Sequence, residues 1–212
     1  MLLEKSVEEF VASVASKDPA PGGGSVAALS SSLGSALTAM VGNLTIGRKA
    51  YLKLSEEQQR ELDRNFQKVQ ELIDRMNQLT EEDTTAFNGV MKAFKMPKET
   101  EQEKKIRKMA IEEATKEALE VPLTVGKESL EILKLQQAFA DNGNPNAITD
   151  VGVGALLAYA GLEGALFNVL INLQGLSDEA YIADVKKQCK ELTEEGNRLK
   201  EATLATVYEK LG

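Results

Sequence analysis

The sequence predicts an all-α fold, an up-and-down bundle of about six helices forming a single domain over residues 1–212. Apolar residues step by four and three from Leu62 to Phe94, the period of a helix packed along one side. A second stretch, roughly 147–174, is apolar on nearly every face and rich in Gly and Ala. Aliphatic residues and alanine dominate, aromatics make up only 5%, and tryptophan is absent, which suits helices packed through small side chains. No linker-like run of Pro, Ser and Gly and no internal repeat divides the chain.

Ser6-Val7-Glu8-Glu9 reads as a capping box that opens a short helix with Phe10 and Val14 turned inward. Pro19 and Pro21 end it, within Pro19-Ala20-Pro21-Gly22-Gly23-Gly24-Ser25. Three successive glycines offer nothing to pack and cost backbone entropy on folding. They do let backbone N–H groups come close to a ligand, with Ser25 capping the helix that follows. A glycine loop on a helix N-terminus suits an anion or a polar ligand. The Gly-Lys-Ser/Thr ending of a nucleotide P-loop is missing. A tight turn between close-packed helices fits the same residues.

The second helix runs from 25 to about 46, and its Ala, Ser and Gly content lets backbones approach. Gly47-Arg48-Lys49 marks a basic end and a turn. The third helix carries Leu62, Phe66, Val69, Ile73 and Met76, then Thr80, Asp83, Phe87, Val90 and Phe94 in one register. Asp83 thus falls on an apolar seam. A carboxylate taken from water costs several kcal/mol unless it is paired or its pKa moves. Two kinds of reading fit: a structural pair or a place where the helix meets solvent, and an acid lining a pocket between helices.

A fourth helix is expected over 101–138, interrupted at Val121-Pro122, because an internal proline kinks a helix and frees a carbonyl. Asp141 to Asn146 reads as a turn, and the apolar fifth helix starts with Asp150 in its first turn. That helix is long enough to cross a membrane. Glu163, Asn168 and Asn172 interrupt it and basic flanks are lacking, so it is expected to be central, or buried in an oligomer interface. The last helix, about 178–210, has the stripe Ile182, Val185, Cys189, Leu192 and Leu199, on which Cys189 is a small core residue.

The net charge of −8 argues against a nucleic-acid partner, whose affinity needs a basic face. One cysteine permits no internal disulfide and points to a reducing compartment. The first residues lack the positive start and apolar stretch of a signal peptide, and a cytoplasmic location is expected. Histidine is absent, which removes Ser-His-Asp and Cys-His catalysis and histidine-ligated zinc. Acid–base work falls to Asp, Glu, Lys, Tyr or a substrate group.

The blocks Pro19 to Ala28, Met40 to Lys49, Glu82-Asp83-Thr84-Thr85-Ala86-Phe87, Lys95-Met96-Pro97-Lys98, Val121-Pro122-Leu123, Gly143-Asn144 to Asp150, and Phe167 to Leu173 follow one another along the chain. Taken in that order, they resemble the formiminotetrahydrofolate cyclodeaminase / methenyltetrahydrofolate cyclohydrolase family. The family pattern has Ser before the later aspartate, where this chain has Thr149, which keeps the hydroxyl. The resemblance implies an all-helical homodimer or larger assembly. It implies a tetrahydrofolate substrate, with or without a polyglutamate tail, and no metal or further cofactor. No membrane partner is expected.

The resemblance leaves two activities open, with cyclodeaminase slightly ahead of cyclohydrolase. A cyclodeaminase closes 5-formiminotetrahydrofolate to the 5,10-methenyl form and releases ammonia. A cyclohydrolase opens the methenyl form with water to 10-formyltetrahydrofolate. No formiminotransferase segment is recognised in these residues, so a formimino substrate would come from elsewhere. A third reading, of another class, is a folate-binding or oligomerisation module without turnover. Asp83 and Asp150 are the catalytic candidates, Asp83 first. Gly22, Gly23, Gly24 and Ser25 are candidates for the pterin or a carboxylate, Asn43 and Asn146 for pterin edges, and Arg48, Lys49 and Lys53 for the glutamate tail. Ordinary roles exist for each: favourable charge at a helix N-terminus for Asp150, capping for the amides, and a solvated helix end for the cations.

Overall fold

Capping chemistry sets where the helices begin. Ser6, Ser55 and Thr100 each accept a hydrogen bond from the third backbone N–H of the helix they precede, and Glu9, Gln58 and Glu103 reach back to complete the box. The computed structural model describes residues 1–212 and contains six α-helices and no strand. They are α1 Val7–Val14, α2 Gly23–Thr45, α3 Glu56–Phe94, α4 Glu101–Asn142, α5 Ile148–Leu173 and α6 Glu179–Leu211. Short 3-10 turns lie at Leu2–Glu4, Tyr51–Lys53 and Pro145–Ala147.

Three expectations need correction. Helix α1 buries no residue: Phe10 is only partly covered and Val14 is exposed, because two turns held by their own capping box lie on the bundle surface. Ser25 is not a cap; α2 starts at Gly23 with Gly22 as its N-cap, which frees the Ser25 hydroxyl for another partner. Helix α4 is not interrupted at Pro122 but runs through it for 42 residues. Pro122 is buried with Leu119, Leu123 and Val125, and packing by α3, α5 and α6 holds the helix despite the missing N–H bond.

The main core gathers Leu72, Met76 and Leu79 of α3, Leu119, Ile132 and Leu133 of α4, and Leu162, Leu166 and Val169 of α5. Val185 and Cys189 of α6 close it, as the stripe on that helix requires. Helices α2 and α5 run antiparallel and very close: the Gly154 backbone lies against Thr38, Gly161 against Ser31 and Gly23 against Asn168. The absence of a side chain matters most at Gly161, where a Cβ would overlap the Ser31 hydroxyl and stand 2.6 Å from the Ala27 carbonyl. The Ser31 hydroxyl meets that of Ser129 at 2.6 Å and Gln136 donates to Thr38 at 3.0 Å, while the buried Ser35 hydroxyl on the same helix finds no partner. Gly161→Val should therefore push α2 from α5 and cost about 1–3 kcal/mol, read as a lower midpoint in thermal or urea unfolding.

Helix α5 is enclosed by α2, α4 and α6 on three sides, and its fourth side is bare. Val153, Leu156, Phe167 and Ile171 form an exposed stripe along it. Val26, Leu33, Met40 and Leu44 form another along α2. Both stripes lie opposite the side of their helix that packs on α4, so together they make one apolar face. Helix α2 and the segment Pro145–Leu173 are the two stretches long and apolar enough to span a bilayer, with 61% and 44% of their most apolar windows buried inside the bundle.

Candidate active site

The seam of α3 delivers Asp83 to the start of α2. Leu62, Val69 and Met76 are buried in order along that seam, and Thr80 satisfies its hydroxyl on the Met76 carbonyl at 2.9 Å. One turn later Asp83 is partly buried and has no cation beside it. Its Oδ2 accepts a hydrogen bond of 2.7 Å from the fully buried Ser25 hydroxyl. The Thr84 hydroxyl lies 3.4 Å from the same Ser25 oxygen. The carboxylate rests directly on Gly24, where any Cβ would overlap it. The glycine run therefore admits an acid of the protein itself to the helix N-terminus.

Opposing effects act on that acid. Burial pushes the Asp83 pKa above the ordinary aspartate value, while hydrogen bonds from the Ser25 hydroxyl and backbone N–H pull it down; burial prevails. The orphan N–H groups at the start of α2 add a favourable field for a negative charge. Asp83 is thus an acid held beside an amide-rich loop, with burial opposing its charged form.

A cavity of about 390 Å³ opens in front of it, within the usual size of a small-molecule site. Gly22, Gly23 and Gly24 form one wall with Pro19 and Ala20. Phe87, Val90, Met91 and Phe94 continue the α3 seam as an apolar wall. Thr115, Ala118 and Pro122 of α4 face them. Ala118 is the residue whose carbonyl loses its helical partner to Pro122. Asn168, Ile171 and Asn172 of α5 complete the lining. Asn168 donates to the Gly164 carbonyl at 2.8 Å, which turns its amide toward Gly23. No lysine or arginine lines the cavity, and no group of three or more Asp, Glu or Cys converges anywhere to hold a metal ion.

The structure brings Gly22, Gly23, Gly24, Ser25 and Asp83 together and leaves the other candidates apart. Asp150 lies in the first turn of α5, roughly 27 Å along the helix from Asn168 by the helical rise. Asn43 and Asn146 are exposed, and Asn146 donates its backbone N–H to Asn144 at 3.0 Å. Arg48 and Lys49 are exposed in the turn after α2 and, like Lys53, belong to no ion pair in the chain. Asn144 ties this second cluster together, donating from its backbone to Thr45 at 2.8 Å and from its side chain to the Leu44 carbonyl. The unforeseen members of the cavity are Phe87, Thr115, Asn168 and Asn172. The two amides had a signal, being polar residues spaced by four on an otherwise apolar helix.

A partly buried carboxyl set on a glycine loop, facing a mostly apolar cavity in a helical bundle, has the features of a small-molecule site with one group placed for acid–base work. The chain belongs to the formiminotransferase-cyclodeaminase family, whose pattern its residues 6–191 match. It is 39% identical over 207 residues to the methenyltetrahydrofolate cyclohydrolase of Methylorubrum extorquens, covering 98% of each chain. It is 34% identical over 197 residues to the formimidoyltransferase-cyclodeaminase of Gallus gallus, matching 93% of this chain but 36% of that longer one. The crystal structure of formiminotetrahydrofolate cyclodeaminase from Thermotoga maritima superimposes over the full length of both chains with a TM-score of 0.86 at 27% identity.

Proposed function

We propose that this chain is a one-carbon enzyme of reduced folates, acting on the carbon held between N5 and N10, with Asp83 as its proton-transfer group. The observation that carries the reading is the Asp83 carboxyl, raised in pKa by burial and facing the cavity from the glycine loop. The methenyl carbon is cationic, so a nearby carboxylate stabilises it electrostatically. In the cyclohydrolase direction, Asp83 takes a proton from water as the water oxygen bonds to that carbon. The carboxyl then returns a proton to N5 as the C–N5 bond breaks, and the hydroxyl proton leaves to solvent as the formyl carbonyl forms. Thr115, Asn168 and Asn172 offer hydrogen bonds to the pterin, and Phe87 and Phe94 offer apolar surface.

Cyclohydrolase is the first reading, supported by end-to-end identity with the Methylorubrum protein. Cyclodeaminase is the second, supported by the full-length superposition on the Thermotoga structure. There the protonated Asp83 gives its proton to the imino nitrogen as N10 bonds to the carbon, takes up the N10 proton, and passes that proton to the same nitrogen as the C–N bond breaks and ammonia leaves. The two part on products: loss of the methenyl chromophore with formyl formation, against ammonia release from the formimino substrate. Turnover of neither, with reduced folate still bound, would leave only a binding module. Activity should persist in strong metal chelators.

The pH dependence has opposite signs for rate and stability. Water activation needs ionised Asp83, so kcat should fall as pH drops through its raised pKa, with an acid limb above the ordinary aspartate value of about 3.9. Stability runs the other way. A carboxyl whose folded pKa exceeds its unfolded one contributes stability below the unfolded value and loses it as pH rises through the folded one. An Asp83→Asn chain should therefore melt no lower than wild type at neutral pH, and the wild type should gain on it as pH falls.

A further inference from the structure

Helix α4 carries a proline where a helix tolerates it least, and the position borders the cavity. Pro122 is buried near the middle of this 42-residue helix. Proline is the poorest helix former, because it has no N–H and its ring crowds the carbonyl four residues back. That carbonyl belongs to Ala118. A helical carbonyl points along the axis toward the residue four places on, so the Ala118 oxygen lies between Ala118 and Pro122. Both residues line the cavity. The oxygen left without its helical partner is therefore on the cavity side of α4. A second group there is also unpaired. Thr115 is only 7% exposed and lines the cavity, yet its hydroxyl makes no hydrogen bond in the chain. Thr80 and Ser129, buried likewise in long helices, bond to the Met76 and Val125 carbonyls.

The packing of α4 on α5 places these groups relative to the acid. The two helices run antiparallel, with Thr115 by Gly175 and Gly126 by Leu166, which sets Ala118 level with Asn172. The Asn172 amide lines the cavity and is likewise unbonded. Asn168 lies against Gly23, next to the Gly24 on which Asp83 rests. Asn172 stands one turn, about 6 Å, further along α5. The cavity thus has an acid end and, one turn away, a neutral end made of a carbonyl, a hydroxyl and an amide. We propose that the neutral end reads the pyrimidine edge of the pterin, and that Pro122 determines specificity there, because the Ala118 carbonyl it vacates accepts a hydrogen bond from the 2-amino group. The ligand in this proposal rests on the folate reading; the acceptor rests on α4 alone. A pterin with N5 at Asp83 carries its 2-amino group across the bicyclic ring, a span similar to one helical turn. A carbonyl can only accept, so it selects an amine at that position and opposes an oxo group, which would set oxygen against oxygen. Asn172 has both a donor and an acceptor and suits N3–H and O4 together. Alanine in place of Pro122 would restore the helical N–H and tie up the oxygen.

Titration calorimetry with two ligands, tetrahydrofolate and its 2-desamino-2-methyl analogue, tests this on the full chain. Wild type should bind the analogue at least about tenfold more weakly, the scale of a lost hydrogen bond that leaves an acceptor unpaired. Pro122→Ala should bind tetrahydrofolate about tenfold more weakly than wild type does, and should hold the two ligands within about twofold of each other. The same variant should melt no lower than wild type, since its helix gains a bond. Weaker binding with a preserved melting midpoint and a collapsed difference between ligands is a result that a merely structural proline does not give. If Pro122→Ala weakened both ligands by one factor and kept the difference between them, the ring would act by shape alone and the proposal would be overturned. Equal affinity of wild type for the two ligands overturns it as well, and needs no variant to fold. A wild-type chain that binds no tetrahydrofolate contradicts the folate reading and this proposal together, whereas tetrahydrofolate bound without regard to its 2-amino group removes this proposal alone.

Discussion

Asp83→Asn is expected to lower kcat on the methenyl or formimino substrate by at least about 100-fold, the usual scale for losing a positioned acid or base. The substitution keeps size and shape. The Ser25 hydroxyl can still donate to the carbonyl oxygen of the new amide, so the hydrogen bond at the start of α2 survives. Burial that opposes the charged form no longer has a charge to act on, so the fold should hold at neutral pH. A large loss of rate with an unchanged melting midpoint separates chemistry from folding. Equal losses of kcat and of stability would mean that Asp83 is a structural partner of Ser25 and no more.

Gly24→Ala should be nearly as damaging, and for a steric reason. A methyl group there would overlap the Asp83 carboxylate, and Gly24 is buried, so the acid must leave its place. Displacement by about 1 Å from a reactive geometry costs on the order of 100-fold in rate. Gly23→Ala is a milder control, because its methyl meets only the Asn168 amide, at 3.3 Å. Steady-state kinetics of the pair should rank Gly24→Ala far below Gly23→Ala. Equal activities would show that the carboxylate need not rest on the loop.

Most of the architecture was legible because helices announce themselves by period and caps. The α3 seam, the turn at 47–49, the long apolar α5 and the stripe on α6 all follow from side-chain spacing. What was not legible depends on tertiary partners. Pro122 reads as a break, yet buried neighbours on α3 and α5 carry α4 through it. Ser25 reads as a cap, and only the arrival of α3 shows that its hydroxyl is committed to Asp83. The site was half legible: an acid on an apolar seam asks for an explanation, and three glycines ask for a close neighbour, but nothing in the spacing says that each answers the other. Thr115 and Phe87 carry no sequence mark at all, since their place in the cavity is set by how α3 and α4 cross. Asp150, Asn43 and Asn146 sit at the far end of α2 and α5, a separation that sequence order cannot reveal in an antiparallel helix pair.

The most direct measurement is a crystal structure with a stable reduced folate bound. The Asp83 carboxyl should lie about 2.6–3.2 Å from N5, N10 or a water on the carbon between them, with the pterin in the cavity beside the glycine loop. A folate bound with that carbon out of reach of Asp83, even through one water, would contradict the assignment.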